Sequence, residues 1–237
     1  MATEQTPKPA PAAPRRTGPP GPIPHFRAKR RAKPVHLFAG LLAFLALSPF
    51  LKDDFVGVLL LSGGLTLLLI SAAVAVGPDR RRLVWALCLG GPSFVLSWVN
   101  VLTDYHQLAH LGQVFWLFFL IFLIKTFLKQ IVTADRVDLD LIWAAVSTYL
   151  LLALAWGLLF SLLDHFSPEA FLGEPTSADF IYFSFVTLTT LGYGDIVPVS
   201  PEARALAMVE AVNGVLYTGV FIAGLVSGAQ GKPLDRE

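Results

Sequence analysis

The sequence predicts an all-α membrane protein with six transmembrane helices and one shorter helix that enters the membrane without crossing it. Two observations lead to this fold class. Only 15% of the 237 residues are charged, against about 25% in a typical soluble domain, and the mean hydropathy is +0.63. In addition, the chain contains a series of long apolar runs without Asp, Glu, Lys or Arg.

Six of these runs define the predicted spans, since a helix needs about 20 apolar residues, within a range of about 17–25, to cross the hydrocarbon. They cover residues 35–51, 55–76, 83–102, 105–124, 141–163 and 211–230. Buried helices of a soluble protein are the alternative, but six of them would leave too little polar sequence to cover them. The single cysteine, Cys88, lies in the third run, and we expect a buried, inert thiol there.

The distribution of basic residues predicts that both termini are cytoplasmic. If every run spans, all of the 18 lysines and arginines except Lys52 and Arg204 fall on one side of the membrane. Cytoplasmic loops are the ones enriched in Lys and Arg. The opposite side carries an excess of Asp and Glu, which raises the local concentration of cations. The absence of sorting signals favours a multi-pass protein of the plasma (cell) membrane.

A short apolar segment between the fifth and sixth runs predicts a re-entrant helix. Residues 179–189 are too few to cross the membrane, and Pro175-Thr176-Ser177 before them supplies a side chain that can cap a helix. A half-length helix followed by irregular backbone is tolerated at membrane depth only when it is buried in protein or lines a watery cavity. Its partially negative C-terminal end can stabilise a cation.

The residues after this helix have the chemistry of a cation filter. They read Thr189-Thr190-Leu191-Gly192-Tyr193-Gly194-Asp195. Backbone carbonyls can replace the hydration shell of an ion without adding net charge. For successive carbonyls to point the same way, alternate residues need conformations that a Cβ disfavours, and Gly192 and Gly194 allow them. The Thr190 hydroxyl can add an oxygen at the inner mouth.

This run resembles the filter of tetrameric potassium channels, whose loops read TVGYG. Here Thr190-Leu191-Gly192-Tyr193-Gly194 has Leu in place of Val, and the resemblance extends from about Leu141 to Gly228. It implies that the permeant ion is K⁺ and that four copies assemble as a homotetramer, since one chain supplies one strand of carbonyls. The ion-binding carbonyls would be those of Thr190, Leu191, Gly192 and Tyr193.

Two positions near the filter depart from the family pattern. Relatives often have an acidic residue four positions before the filter threonine, which bonds to the aspartate after the filter, and here that residue is Val186. Where the family often has Trp, Tyr182 can donate a hydrogen bond to Asp195, or it can serve as an interfacial anchor. The residues predicted to support the filter are Thr189, Gly194, Asp195, Tyr182 and Val186.

Two features of the last span bear on gating and support of the pore. Gly214 takes the place of the hinge glycine in similar channels, although small residues also let membrane helices pack closely. Glu210, an acid inside the same helix, needs a partner or water, and it can support the back of the short helix.

The fourth span predicts weak voltage dependence. It resembles the last helix of a voltage sensor, but it carries only Lys125 and Lys129, both near its inner end, where a sensor needs several charges. At its outer end, His106 and His110 lie on one helix face. They can bind a metal or sense pH, or do neither.

These observations divide the chain into five predicted segments. Residues 1–34 form a disordered, basic, Pro-rich cytoplasmic tail, which is either solvated or in contact with anionic lipids. Residues 35–131 form a four-helix, sensor-like transmembrane domain, and residues 132–140 a cytoplasmic linker. Residues 141–230 form the pore domain, and residues 231–237 a short cytoplasmic tail.

Three other functions compete with a potassium channel. They are a non-selective cation channel of the same fold, a transporter built on pore loops, and a non-conducting membrane scaffold. Tyr193 argues against the first and the single loop against the second. The sequence has no nucleophile–base pair or phosphate-binding loop, so we expect no enzymatic activity, no cofactor and no nucleic-acid partner.

Overall fold

The computed structural model describes residues 34–47, 63, 80–103, 106–134 and 137–230. In these ranges the protein is helical, without a β-strand, and an isolated bridge pairs Phe171 with Pro198. The all-helical class predicted from the sequence is therefore confirmed for the described residues. The predicted second span at 55–76 lies outside them, apart from Gly63, as do the tails at 1–33 and 231–237.

The described helices follow the predicted apolar runs. They are α1 (Pro34–Leu47), α2 (Arg80–Thr103), α3 (His106–Val132), α4 (Leu139–Phe166), α5 (Ser177–Leu188) and α6 (Pro201–Gln230). Among them, α4 and residues 110–132 of α3 are long and apolar enough to cross a membrane, whereas α1 has 14 residues. The total number of spans therefore stays a prediction.

The helices before α4 pack through apolar side chains. Helix α1 packs on α4, α2 packs on α3, and α3 packs on α4. Leu41 of α1 and Leu123 of α3 are fully buried in the shared core, and the rings of Phe38 and Trp143 lie 4.9 Å apart. Because lipid tails are as apolar as these side chains, close packing rather than exclusion of water holds such helices together.

Cys88 lies on an exposed face of α2, so the expectation of a buried thiol is wrong. The physical reason is that α2 is covered on one side only within the described part of the chain, where it packs on α3. Trp85 and Leu87, which are 60% exposed, lie near Cys88 on the same helix. An apolar run therefore does not distinguish a side chain inside the protein from one on its outer face.

The short helix α5 lies between the long helices α4 and α6 and packs on both. Two glycines allow this close approach. A Cβ on Gly157 of α4 would lie 2.9 Å from the Cα of Ile181, and a Cβ on Gly214 of α6 would overlap the carbonyl oxygen of Leu188. These backbone contacts fix the position of α5, and with it the loop that follows.

Candidate functional site

Helix α5 starts with a capping box formed by Thr176 and Asp179. The Thr176 hydroxyl oxygen accepts a hydrogen bond from the Asp179 amide (3.4 Å), and Asp179 Oδ2 accepts one from the Thr176 amide (2.8 Å). Such a box satisfies two amides that have no partner within the helix. Because Thr176 is the cap, the helix begins at Ser177 instead of residue 179. The Phe180 ring packs edge-on against Phe171, with centroids 4.9 Å apart, and this contact fixes the direction of the helix start.

The backbone of residues 190–194 alternates between two conformations. The φ angle is +61° at Thr190, +61° at Gly192 and +78° at Gly194, while Leu191 and Tyr193 lie between these left-handed positions. Glycine adopts such angles at little cost, so the two glycines stand where this backbone requires them. Sequence reasoning named Thr190 as an ion-binding residue but missed its positive φ, since such an angle at a β-branched residue is an outlier that costs about 1–3 kcal/mol.

The amides of this segment point back toward α5. The amides of Leu191 and Gly192 both donate to the carbonyl of Val186, at 2.9 and 3.3 Å, and the Thr190 amide donates to Thr187 at 3.0 Å. A trans peptide directs its C=O opposite to its N–H, so the carbonyls of Thr190 and Leu191 face away from α5. Among the described residues, no backbone amide donates to a carbonyl of residues 190–193. These oxygens are therefore free to interact with an ion.

Tyr182 and Asp195 join α5 to the outer end of this segment. The Tyr182 hydroxyl donates to Asp195 Oδ2 at 2.7 Å, and Asp195 Oδ1 accepts from the Ile196 amide at 3.2 Å. The hydrogen bond to Asp195 is the main cause that raises the pKa of Tyr182 to about 12, so the phenol stays a neutral donor. At the inner end, the Thr189 amide donates to the carbonyl of Phe185 at 3.0 Å. The segment is thus attached to α5 at both ends.

Two tyrosines connect the inner end of α5 and the long helices. The Tyr149 hydroxyl donates to the carbonyl of Leu188 at 3.1 Å, the Tyr217 hydroxyl donates to the carbonyl of Ala145 at 2.7 Å, and the two rings lie 5.6 Å apart. Gly214 lies against the same Leu188. Sequence reasoning missed both tyrosines, although polar side chains inside apolar runs are a signal for such contacts.

Glu210 of α6 lies behind α5, where the sequence analysis expected it. Its side chain is 0% exposed, and Oε1 is hydrogen-bonded to the hydroxyl of Ser184 on α5. The Ser184 hydroxyl also lies 2.7 Å from the carbonyl of Ala153 on α4. One serine therefore joins all three helices of this half of the chain.

His110 contacts a histidine of the neighbouring helix. Its ring stacks on His165 of α4, with centroids 3.4 Å apart, and its Nδ1 lies 3.3 Å from Gln113 Oε1. The side chain of His106 lies outside the described part of the chain. Within that part, no group of three or more His, Cys, Asp or Glu residues can hold a metal ion. A role of His106 and His110 in metal binding or pH sensing stays a prediction.

A family model and several known proteins are similar to this chain. Residues 148–229 match the model of a family described as "Ion channel". Protein LctB of Geobacillus stearothermophilus is 30% identical over 96 residues, which cover 37% of this chain and 71% of that protein. Two pore potassium channel c of Oryza sativa subsp. japonica is 37% identical over 81 residues, covering 33% of this chain and 18% of that protein.

A third relative is the calcium-gated potassium channel TvoK of Thermoplasma volcanium, which is 46% identical over 43 residues, covering 18% of this chain and 12% of that protein. The chain thus spans about 70% of one LctB protein but less than a fifth of the two named potassium channels. The resemblance drawn from residues 190–195 is confirmed, and the family is one of ion channels, not of enzymes. The chain is a membrane protein that belongs to the ion channel family with a potassium channel pore domain, which residues 148–229 match.

Proposed function

We propose that four copies of this chain form a potassium-selective channel whose ions pass along the carbonyls of Thr190, Leu191, Gly192 and Tyr193. The observation that carries this proposal is the alternating backbone of residues 190–194, with its amides turned toward Val186. Carbonyls presented in this way can replace the water around K⁺. The two relatives named as potassium channels support K⁺ as the ion.

A homotetramer follows from the geometry of such a filter. One chain contributes one strand of carbonyls, so a closed ring around the ion needs cyclic symmetry. The side of α6 that α4 and α5 leave uncovered supports this assembly. It exposes a series of large apolar side chains, each more than half exposed within the single chain: Val212, Val215, Leu216 and Val220.

The remaining proposals concern topology and opening. The chain crosses the plasma membrane six times with both termini in the cytoplasm, and the basic tail contacts anionic lipids. Lys125 and Lys129 are exposed near the inner end of α3, and two charges at that position give weak voltage dependence. Gly214 acts as a hinge of α6, and Tyr182 and Asp195 support the filter.

Reversal potentials of the purified protein in lipid bilayers test the proposed function. With K⁺ at different concentrations on the two sides and Na⁺ replacing it on the dilute side, a selective channel reverses near the K⁺ equilibrium potential, and raising Na⁺ leaves this value unchanged. A reversal near zero would instead identify a non-selective cation channel. Protein that assembles in the bilayer but passes no K⁺ at any voltage or pH would favour the scaffold. The mass of the detergent-solubilised complex tests the tetramer independently.

A further inference from the structure

A buried chain of polar groups crosses from α6 through α5 to α4, away from the ion path. It consists of the Glu210 carboxyl, the Ser184 hydroxyl and the carbonyl oxygen of Ala153. Glu210 and Ser184 are both 0% exposed. Water does not reach these three groups, so each of their protons must be donated to another of the three.

With Glu210 ionised, these three groups have too few protons to form both hydrogen bonds. A carbonyl and a carboxylate only accept hydrogen bonds, and a serine hydroxyl has one proton to donate. With Glu210 ionised, Oε1 and the Ala153 oxygen compete for that single proton. With Glu210 protonated on Oε1, the acid donates to Ser184 and Ser184 donates to Ala153, so both bonds have a donor.

Among the described residues, no positively charged group bonds to Glu210 and compensates a carboxylate. Its second oxygen, Oε2, is buried and has no partner among the described residues. The neighbouring Tyr149 donates to Leu188, and the Arg204 Nε, on the same helix, donates to the carbonyl of Pro198. A buried, unpaired carboxylate is among the most costly groups a protein can contain, whereas the carbonyl oxygen of a neutral acid tolerates burial far better.

The register of the two helices indicates what the bond does. Ser184 and Leu188 are one turn apart on α5, and Glu210 and Gly214 are one turn apart on α6. The pairs 184–210 and 188–214 are both in contact, so these two residues of each helix share one face. The hydrogen bond and the glycine contact therefore align α6 with α5, whose C-terminal end leads directly into residues 190–194.

We propose that Glu210 is a protonated, neutral acid that donates a hydrogen bond to Ser184, and that it is a positioning residue which fastens α6 to the helix behind the filter. Its effect on ion conduction rests on the function proposed above, but its protonation does not. Glu210 does not touch the permeating ion, and it acts on the filter through Ser184 and α5.

Infrared spectroscopy of the assembled protein tests the protonation directly. At neutral pH the wild-type protein should show the carbonyl stretch of a protonated carboxyl group, and Glu210→Gln should remove it. Ser184→Ala should retain this band but shift it to higher frequency, because the acid loses its acceptor. Absence of the band in wild-type protein, or a band that Ser184→Ala leaves unshifted, overturns the proposal. Protein that conducts no ions still gives this measurement, so a failure of the proposed function is recognised separately.

Current decay during sustained opening tests the positioning role. Gln is neutral and can donate its amide to Ser184, so Glu210→Gln should decay at a rate within about twofold of wild type. Met has a similar length but no donor, so Glu210→Met should decay about tenfold faster. If the Gln and Met variants decay at the same rate, Glu210 does not have this positioning role. If Glu210→Met does not assemble, Ser184→Ala replaces it, with the same expected increase.

Discussion

Both halves of the described chain are packed through apolar side chains, and the second half adds hydroxyl groups that bond from one helix to another. In residues 34–134, packing of apolar side chains joins the helices, and the hydroxyls of Ser93, Thr126 and Thr133 bond to carbonyls of their own helices. In residues 137–230, side chains such as Tyr149 and Tyr217 bond across helices. Apolar packing tolerates many sequences that fill the same volume, whereas hydrogen bonds specify distance and direction.

The difference corresponds to what each half is proposed to do. An ion filter works only if its carbonyls are held within a fraction of an ångström, and buried polar networks are well suited to impose a single geometry. The half before α4 has no such requirement in the proposed function, because it carries neither a filter nor a full set of gating charges. Substitutions that remove polar or close backbone contacts should therefore affect the second half much more strongly.

The largest effect is expected for Gly214→Ala. The added Cβ would overlap the carbonyl of Leu188, and since backbone atoms cannot rotate away, we expect a loss of about 3 kcal/mol or more. The tetramer should largely disappear from size-exclusion chromatography of the solubilised protein. Gly91→Ala of α2 is the control, because a Cβ there meets nothing within 4 Å and α2 is not part of the proposed tetramer surface, so the tetramer should persist.

Gly214→Ala also distinguishes a packing role of Gly214 from a role as a hinge of α6. If Gly214 served only as a hinge, Gly214→Ala would assemble with wild-type thermal stability and show reduced opening alone. That result would contradict the packing role argued from Leu188.

The second effect concerns the filter itself, through Gly192→Ala. At φ +61°, an L-residue is strained by about 1–2 kcal/mol, so the backbone should leave this conformation and selectivity for K⁺ over Na⁺ should be lost. Gly173→Ala imposes comparable strain, with φ +85° and nothing within 4 Å, but outside the filter. It should lower the thermal midpoint and leave the reversal potential unchanged. Loss of selectivity in both variants would show that general destabilisation is responsible.

A third pair compares hydroxyl groups in the two halves. Tyr217→Phe removes a bond between α6 and α4 and should lower the free energy of unfolding by about 1 kcal/mol. Thr126→Val removes a hydroxyl that bonds to the Phe122 carbonyl of its own helix and should lower it less. The thermal midpoint of the solubilised protein measures both effects, and a larger decrease for Thr126→Val would contradict the proposed difference between the two halves.

The sequence predicts those features of the structure in which the interacting residues are close together along the chain. Such features include the capping residues of α5, the apolar runs and the two filter glycines. Each depends on the residue types in a short stretch of sequence, so the sequence predicts it. The positive φ of Thr190 is not, because its cost is met by contacts with α5. The partners of Tyr149 and Ser184 lie 39 and 31 residues away, and no local pattern encodes such pairs. Cys88 is exposed although it lies in an apolar run, because the sequence alone does not tell which side of a helix another helix covers.

The smallest effect is expected for Tyr182→Phe, which removes the bond to Asp195. Because both side chains are exposed within the chain, we expect a small effect, seen as current decay that is about two- to fivefold faster with unchanged selectivity. The pKa of Tyr182 is raised from 10.0 to about 12, so the contribution of this bond is complete below pH 10 and is lost between pH 10 and about 12. Wild-type decay should therefore stay constant from neutral pH to about 10. Decay in Tyr182→Phe that equals wild type would leave Tyr182 as an interfacial anchor only.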